Sequence, residues 1–120
     1  MDDQAPLAQM VGNMLRHLGY QCDCVHDGAQ AIEAYCAAQQ AGLPYDLTIL
    51  DLTVPGGMGG AQAMQRLREI DPDIRAVVSS GYSNDPIMAE YGDHGFCAVL
   101  PKPYTVHDLS ALLAKLFPTP

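Results

Sequence analysis

Leu47-Thr48-Ile49-Leu50-Asp51 carries a short apolar run straight into a carboxylate. A run of this kind, with no polar alternation, suits a strand buried on both faces, as strands of a parallel sheet are. Ala76-Val77-Val78-Ser79-Ser80, stopped by Gly81, repeats the pattern, and Phe96 to Leu100 gives a third such run. Working outward, residues 7–18 place Leu7, Met10, Val11, Met14, Leu15 and Leu18 on one helical stripe closed by Gly19. Tyr20 to Val25 alternates with period two and predicts a short strand before the Asp27-Gly28 turn. Residues 29–40 predict a second helix with Ile32, Tyr35 and Cys36 inward, broken by Gly42 and Pro44. A third helix buries Met64, Leu67 and Ile70 and ends before Asp71-Pro72. Asn84 or Asp85 caps a short helix through Tyr91, and residues 106–117 form the last. Strands alternating with helices mean right-handed crossovers in a parallel, doubly wound α/β sheet.

Composition narrows the function. Of 120 residues, 48% are hydrophobic, enough for one domain with a core. No apolar run approaches the ~20 residues of a membrane span, and Met1 is followed directly by Asp2 and Asp3, so a soluble cytoplasmic protein is expected. A net charge of −8 argues against direct nucleic-acid binding. Cys22, Cys24, Cys36 and Cys97 lack CxxC or zinc-finger spacing and are expected to be small core residues in a reducing compartment. His17, His26, His94 and His107 have no metal spacing.

In open α/β sheets ligands bind at the carboxyl ends of the strands. Asp51, Ser80 and Lys102 stand at or just past such ends, and Asp2-Asp3 precede the first helix. Three carboxylates in one cleft call for a cation, and hard oxygen donors suit Mg²⁺. A carboxylate can also accept a phosphoryl group, with an ammonium and a hydroxyl stabilising the charge in flight. Gly56-Gly57-Met58-Gly59-Gly60 lacks the Gly-Lys-Ser/Thr of a P-loop and is expected to be a flexible loop entering a helix. Ser80 is outside any GxSxG elbow.

Met1-Asp2-Asp3, the run LTILDLTVP at 47–55, Ser80-Gly81 and Leu100-Pro101-Lys102-Pro103-Tyr104 together resemble the receiver domains of two-component systems, in order and spacing over nearly the whole chain. The runs DLTVPGGMGG and SSGYSND are similar to receivers attached to hybrid histidine kinases. The resemblance implies the flavodoxin-like (βα)5 receiver fold over residues 1–117, with 118–120 a tail. By the same resemblance Asp51 is the phosphoacceptor. Asp2, Asp3, Asp51 and the backbone carbonyl of Thr53 hold Mg²⁺. Lys102 pairs with the phosphoryl oxygens, Lys102–Pro103 is cis, and Ser80 moves to bond the phosphoryl group. The implied partner is a histidine kinase or a histidine phosphotransfer domain, and the protein is a self-modifying switch instead of a turnover enzyme.

Two departures qualify the likeness. The family places a hydrophobic strand ahead of the acidic pair, whereas here only Met1 precedes it, so the first β-strand is largely missing. A misplaced or cut start, or a sheet repaired by rearrangement or by a neighbouring chain, is expected, with self-association through exposed sheet edges. Val99 stands where the family often has a switching aromatic; Tyr104 is expected to pack structurally. Two other functions compete. One is a phosphorylation-independent interaction module of the same fold. The other is an aspartate-nucleophile phosphohydrolase, which Asp51-Leu52-Thr53 fits poorly because Thr53 stands where that family has a general-acid Asp.

Overall fold

In the computed structural model, which describes residues 1–82 and 84–118, the three apolar runs form one parallel sheet in the order β1-β2-β3. These are β1 (Thr48–Asp51), β2 (Ala76–Ser80) and β3 (Ala98–Pro101). Thr48 pairs with Ala76 and Asp51 with Ser79; Ser79 in turn pairs with Leu100 and Ser80 with Pro101. The helices are α1 (Ala5–His17), α2 (Gly28–Gln40), α3 (Gly60–Ile70), α4 (Pro86–Ala89) and α5 (Val106–Leu116), with a 3₁₀ turn at Tyr91–His94. Of the residues predicted around the site and the tail, Ser83, Thr119 and Pro120 lie outside those described.

The period of two in β2 divides the core. Ala76 and Val78 join Leu50, Ala63, Met64, Leu67 and Tyr35 on one face. Val77 joins Leu100, Leu109 and Leu113 on the other, with Val11, Met14 and Leu15 of α1 packed against them. Helices therefore cover both faces, as a sheet of unbroken apolar strands requires. Local capping sets the helix starts. Asp27 accepts the Gln30 N–H ahead of α2, Asp85 accepts the Ile87 N–H ahead of α4, and Thr105 and Asp108 form a reciprocal box at α5. Gly19, at φ +95°, ends α1 as predicted.

Several expectations need correction. Tyr20–Val25 does not form a strand. A strand is defined by its neighbours; among the described residues this segment's backbone bonds run from Tyr20 N–H to Leu15 O in α1 and from Asp2 N–H to the Val25 carbonyl at 3.0 Å. Ile70 is 40% exposed at the last position of α3, and Ala63 joins Met64 and Leu67 on the inward face. The last strand starts two residues late, because Phe96 turns into the first core while Cys97 N–H bonds Ala76 O. The cysteines do not fill the core: Cys22 and Cys36 are half-buried, Cys24 and Cys97 exposed, and all four are free thiols.

The stretch ahead of α1 is tied into the sheet. The Met1 ammonium donates to Ile49 O at 2.8 Å, and Asp51 N–H donates to Met1 O at 3.1 Å. Among the described residues no helix is long and apolar enough to cross a membrane.

Candidate phosphoacceptor site

Asp51 ends β1, and Asp2 is carried to its side by the Met1 bonds just described. Both carboxylates are buried, Asp51 at 4% exposure and Asp2 at 7%, while Asp3 is exposed at the mouth. One oxygen from each of Asp2, Asp3 and Asp51 lies within 4.8 Å of the others. Lys102 arrives from the end of β3, its backbone N–H bonded to Ser80 O at 2.9 Å. Its ammonium reaches Asp2 Oδ2 at 2.7 Å and Asp51 Oδ2 at 3.3 Å. The other Asp2 oxygen accepts the Gln4 N–H at 3.0 Å. Lys102–Pro103 is cis, as the resemblance implied.

Electrostatics follow from this crowding. Burial pushes the Asp51 carboxyl up to about 6; the Lys102 charge works against that rise and the Asp2 charge adds to it. Burial disfavours the Lys102 ammonium, yet the Asp2 hydrogen bond and the Asp51 charge outweigh it and hold its pKa above the ordinary lysine value. Tyr104 is pushed up to about 12, chiefly by burial, and packs in the second core, in keeping with a structural part. Val99 packs against the first core.

The hydroxyls are arranged differently. Ser79, the in-register neighbour of Asp51, donates its hydroxyl to Leu100 O at 2.9 Å. Ser80 is buried and its Oγ accepts the Tyr82 N–H at 3.0 Å; among the described residues the hydroxyl makes no hydrogen bond to the Asp51 or Lys102 side chain. Thr53, two residues beyond Asp51, is exposed on the following loop. The arrangement brings together Asp2, Asp3, Asp51 and Lys102.

Reading the sequence for loops missed two glycines. A Cβ on Gly60 would stand 2.8 Å from Asp51 O, and one on Gly59 would collide with Leu52 O. The start of α3 therefore presses against the backbone of β1, and the signal was present as a glycine run leading from the β1 loop into the helix. Gly60→Ala is expected to cost about 1–3 kcal/mol and to disturb the Asp51 backbone, measurable by thermal unfolding. Unchanged stability would show that α3 can retreat freely. Also unforeseen was His26, whose Nδ1 lies 3.2 Å from Asp2 O.

The site sits in a recognisable company. Residues 1–114 match the response regulator receiver domain family. Two-component response regulator 24 of Arabidopsis thaliana is 32% identical over 103 residues, 86% of this chain and 70% of that protein. Sporulation initiation phosphotransferase F of Bacillus subtilis is 25% identical over 98% of this chain and 90% of its own. Among solved structures, the CheX-CheY-BeF3-Mg²⁺ complex from Borrelia burgdorferi superposes with a TM-score of 0.86 at 19% identity, covering 98% of this chain and 86% of that one. TrrA of Thermotoga maritima, in complex with Mg²⁺-BeF, gives 0.82 at 22%, covering 97% and 94%. The chain belongs to the response regulator receiver domains of two-component signalling.

Proposed function

We propose that this receiver is a phosphoacceptor switch in which Asp51 takes a phosphoryl group from a phosphohistidine of a kinase or phosphotransfer domain, or from a small phosphodonor. The observation that carries the reading is the cluster of Asp2, Asp3 and Asp51 oxygens within 4.8 Å, with the Lys102 ammonium set against two of them. Such a donor set, all hard oxygen and mostly carboxylate, fits Mg²⁺, held by Asp2, Asp3 and Asp51 with the Thr53 carbonyl. When bound, Mg²⁺ neutralises the carboxylates and the equatorial phosphoryl oxygens.

The remaining work falls to the chain. An Asp51 carboxylate oxygen attacks phosphorus, forming an acyl phosphate as the bond to the donor's nitrogen or oxygen breaks and the electron pair leaves with the donor. Lys102 releases Asp51 and turns its N–H donors on the developing charge. The Ser80 hydroxyl exchanges the Tyr82 N–H for a phosphoryl oxygen, which frees the backbone after β2 and shifts that loop. Water returns the group to phosphate, so the protein cycles as a switch and turns over no external substrate. The four free thiols fit a cytoplasmic setting.

Intact mass after incubation with acetyl phosphate tests the reading. A single phosphoryl adduct is expected with Mg²⁺, and none without it or in Asp51→Ala. No adduct on a folded, monodisperse sample would leave a docking module of the same fold.

A further inference from the structure

Two adjacent residues, Val25 and His26, hold the backbone of Asp2 at both of its polar groups. The Asp2 N–H donates to Val25 O at 3.0 Å, and the Asp2 carbonyl lies 3.2 Å from His26 Nδ1. A carbonyl has no proton to give, so Nδ1 carries the hydrogen and the ring is the donor. Among the described residues no backbone N–H and no other side chain donates to that carbonyl. We propose, on the reading of the carboxylate cluster as a Mg²⁺ site, that His26 is a positioning residue of that cluster. Its ring N–H fixes the peptide joining Asp2 to Asp3 and so aims the Asp2 carboxylate at Lys102 and Asp51.

A side chain positions another group only if its own backbone is held, and here it is. The His26 N–H donates to Gln30 Oε1 at 2.9 Å, and Asp27 Oδ1 accepts the Gln30 N–H at 2.8 Å, which ties residue 26 into the first turn of α2. One residue further, the Gly28 N–H donates to Met58 O at 2.7 Å. Gly28 is buried, and a Cβ there would stand 2.6 Å from Met58 Cγ and 2.9 Å from Ala63 Cβ. Residues 26–28 are thus fastened to α2, to the loop after β1 and to the first turn of α3. The ring spans from this anchored turn to the Asp2 carbonyl. Both Asp2 carboxylate oxygens are engaged, Oδ1 by the Gln4 N–H at 3.0 Å and Oδ2 by the Lys102 ammonium at 2.7 Å. Those bonds hold only while the Cα–Cβ direction of Asp2 stays put, and a free peptide after Asp2 would let it swing. With the N–H on Val25 and the carbonyl on His26, both backbone torsions of Asp2 are set, and Asp3 hangs from the same fixed peptide. Mg²⁺ demands near-ideal ligand geometry, so a group that orients its ligands from outside the set bears on affinity.

Two neutral replacements separate the hydrogen bond from the ring's bulk and charge. His26→Asn puts an amide nitrogen where Nδ1 stands, and His26→Leu puts a methyl group there. His26 is exposed, so both variants are expected to fold as the parent does. In calorimetric titration of the whole chain with Mg²⁺ alone, His26→Leu is expected to bind about tenfold more weakly than the parent, and His26→Asn within about twofold of it. A metal-free measurement stands beside the titration. In chemical unfolding, the coupling between Asp2→Asn and Lys102→Met is read as a factor in the folding equilibrium constant. It is expected to fall at least about threefold in the His26→Leu background and to persist in the His26→Asn background. Unchanged coupling in the His26→Leu background overturns the proposal whatever the titration gives. Equal losses in the two variants overturn it too, since they assign the effect to the ring's bulk or charge. A parent chain that takes up no Mg²⁺ ends the metal reading of the cluster, and the metal-free coupling then decides the part of His26 by itself.

Discussion

Without divalent cations, Asp51→Asn is expected to unfold about 4–8 °C higher than the parent chain near neutral pH. Asp51 holds its proton up to about 6 in the folded protein, above the ordinary carboxylate value. The folded state thus carries the extra proton between roughly pH 4 and pH 6, and stability falls as pH rises through that window. Above it the whole cost is present, about 3 kcal/mol from the displacement of the pKa. Asparagine removes this cost but leaves Lys102 with Asp2 as its one remaining ion-pair partner, so a net gain of about 1–2 kcal/mol is expected. The gap closes toward about pH 4, where aspartate is protonated. Mg²⁺ reverses the order: saturation near a hundredfold over the dissociation constant adds about 2.7 kcal/mol to the parent and little to the variant. A variant no more stable than the parent at neutral pH would refute the strain assigned to Asp51.

Lys102→Ala is expected to produce the largest loss of stability of any single change at the site. Removing one partner of a buried ion pair leaves the other charge uncompensated, at about 3–5 kcal/mol. Here the loss belongs at the lower end, because the Lys102 side chain keeps 21% exposure. Two carboxylates, Asp2 and Asp51, would face each other without a counter-charge. The double variant Lys102→Ala/Asp51→Asn is expected to recover part of the loss, a coupling that a mutant cycle measures directly. Strictly additive effects would mean that the 3.3 Å contact with Asp51 carries no energy.

Much of this was legible before any coordinates. Leu47–Leu50 and Ala76–Val78 read as strands because burial on both faces removes polar alternation, and that burial is observed at Leu50, Ala76, Val77 and Val78. Asp51 and Lys102 were legible because strand ends in such sheets converge. Tyr20–Val25 was misread because alternation reports faces and not ladder partners, and Asp2 alone among the described residues donates a backbone N–H to this segment from across it. Gly59 and Gly60 looked like a flexible loop because composition reports freedom and not proximity; only the fold shows a backbone 2.8 Å from where a Cβ would stand. The preference of Lys102 for Asp2 over Asp51 depends on tenths of an ångström, which no spacing in a sequence encodes.

The bond from Lys102 to Asp2 spans 100 positions of the chain. A ribosome delivers Asp2 100 residues ahead of Lys102, so the acidic pair waits, uncompensated, until the last βα unit of the domain emerges. Closing so long a loop also comes late in any folding route. A half-made or half-folded chain thus lacks the ammonium that completes the pocket, and under the proposed function competence to accept a phosphoryl group would certify that the domain has been built from Asp2 to Lys102.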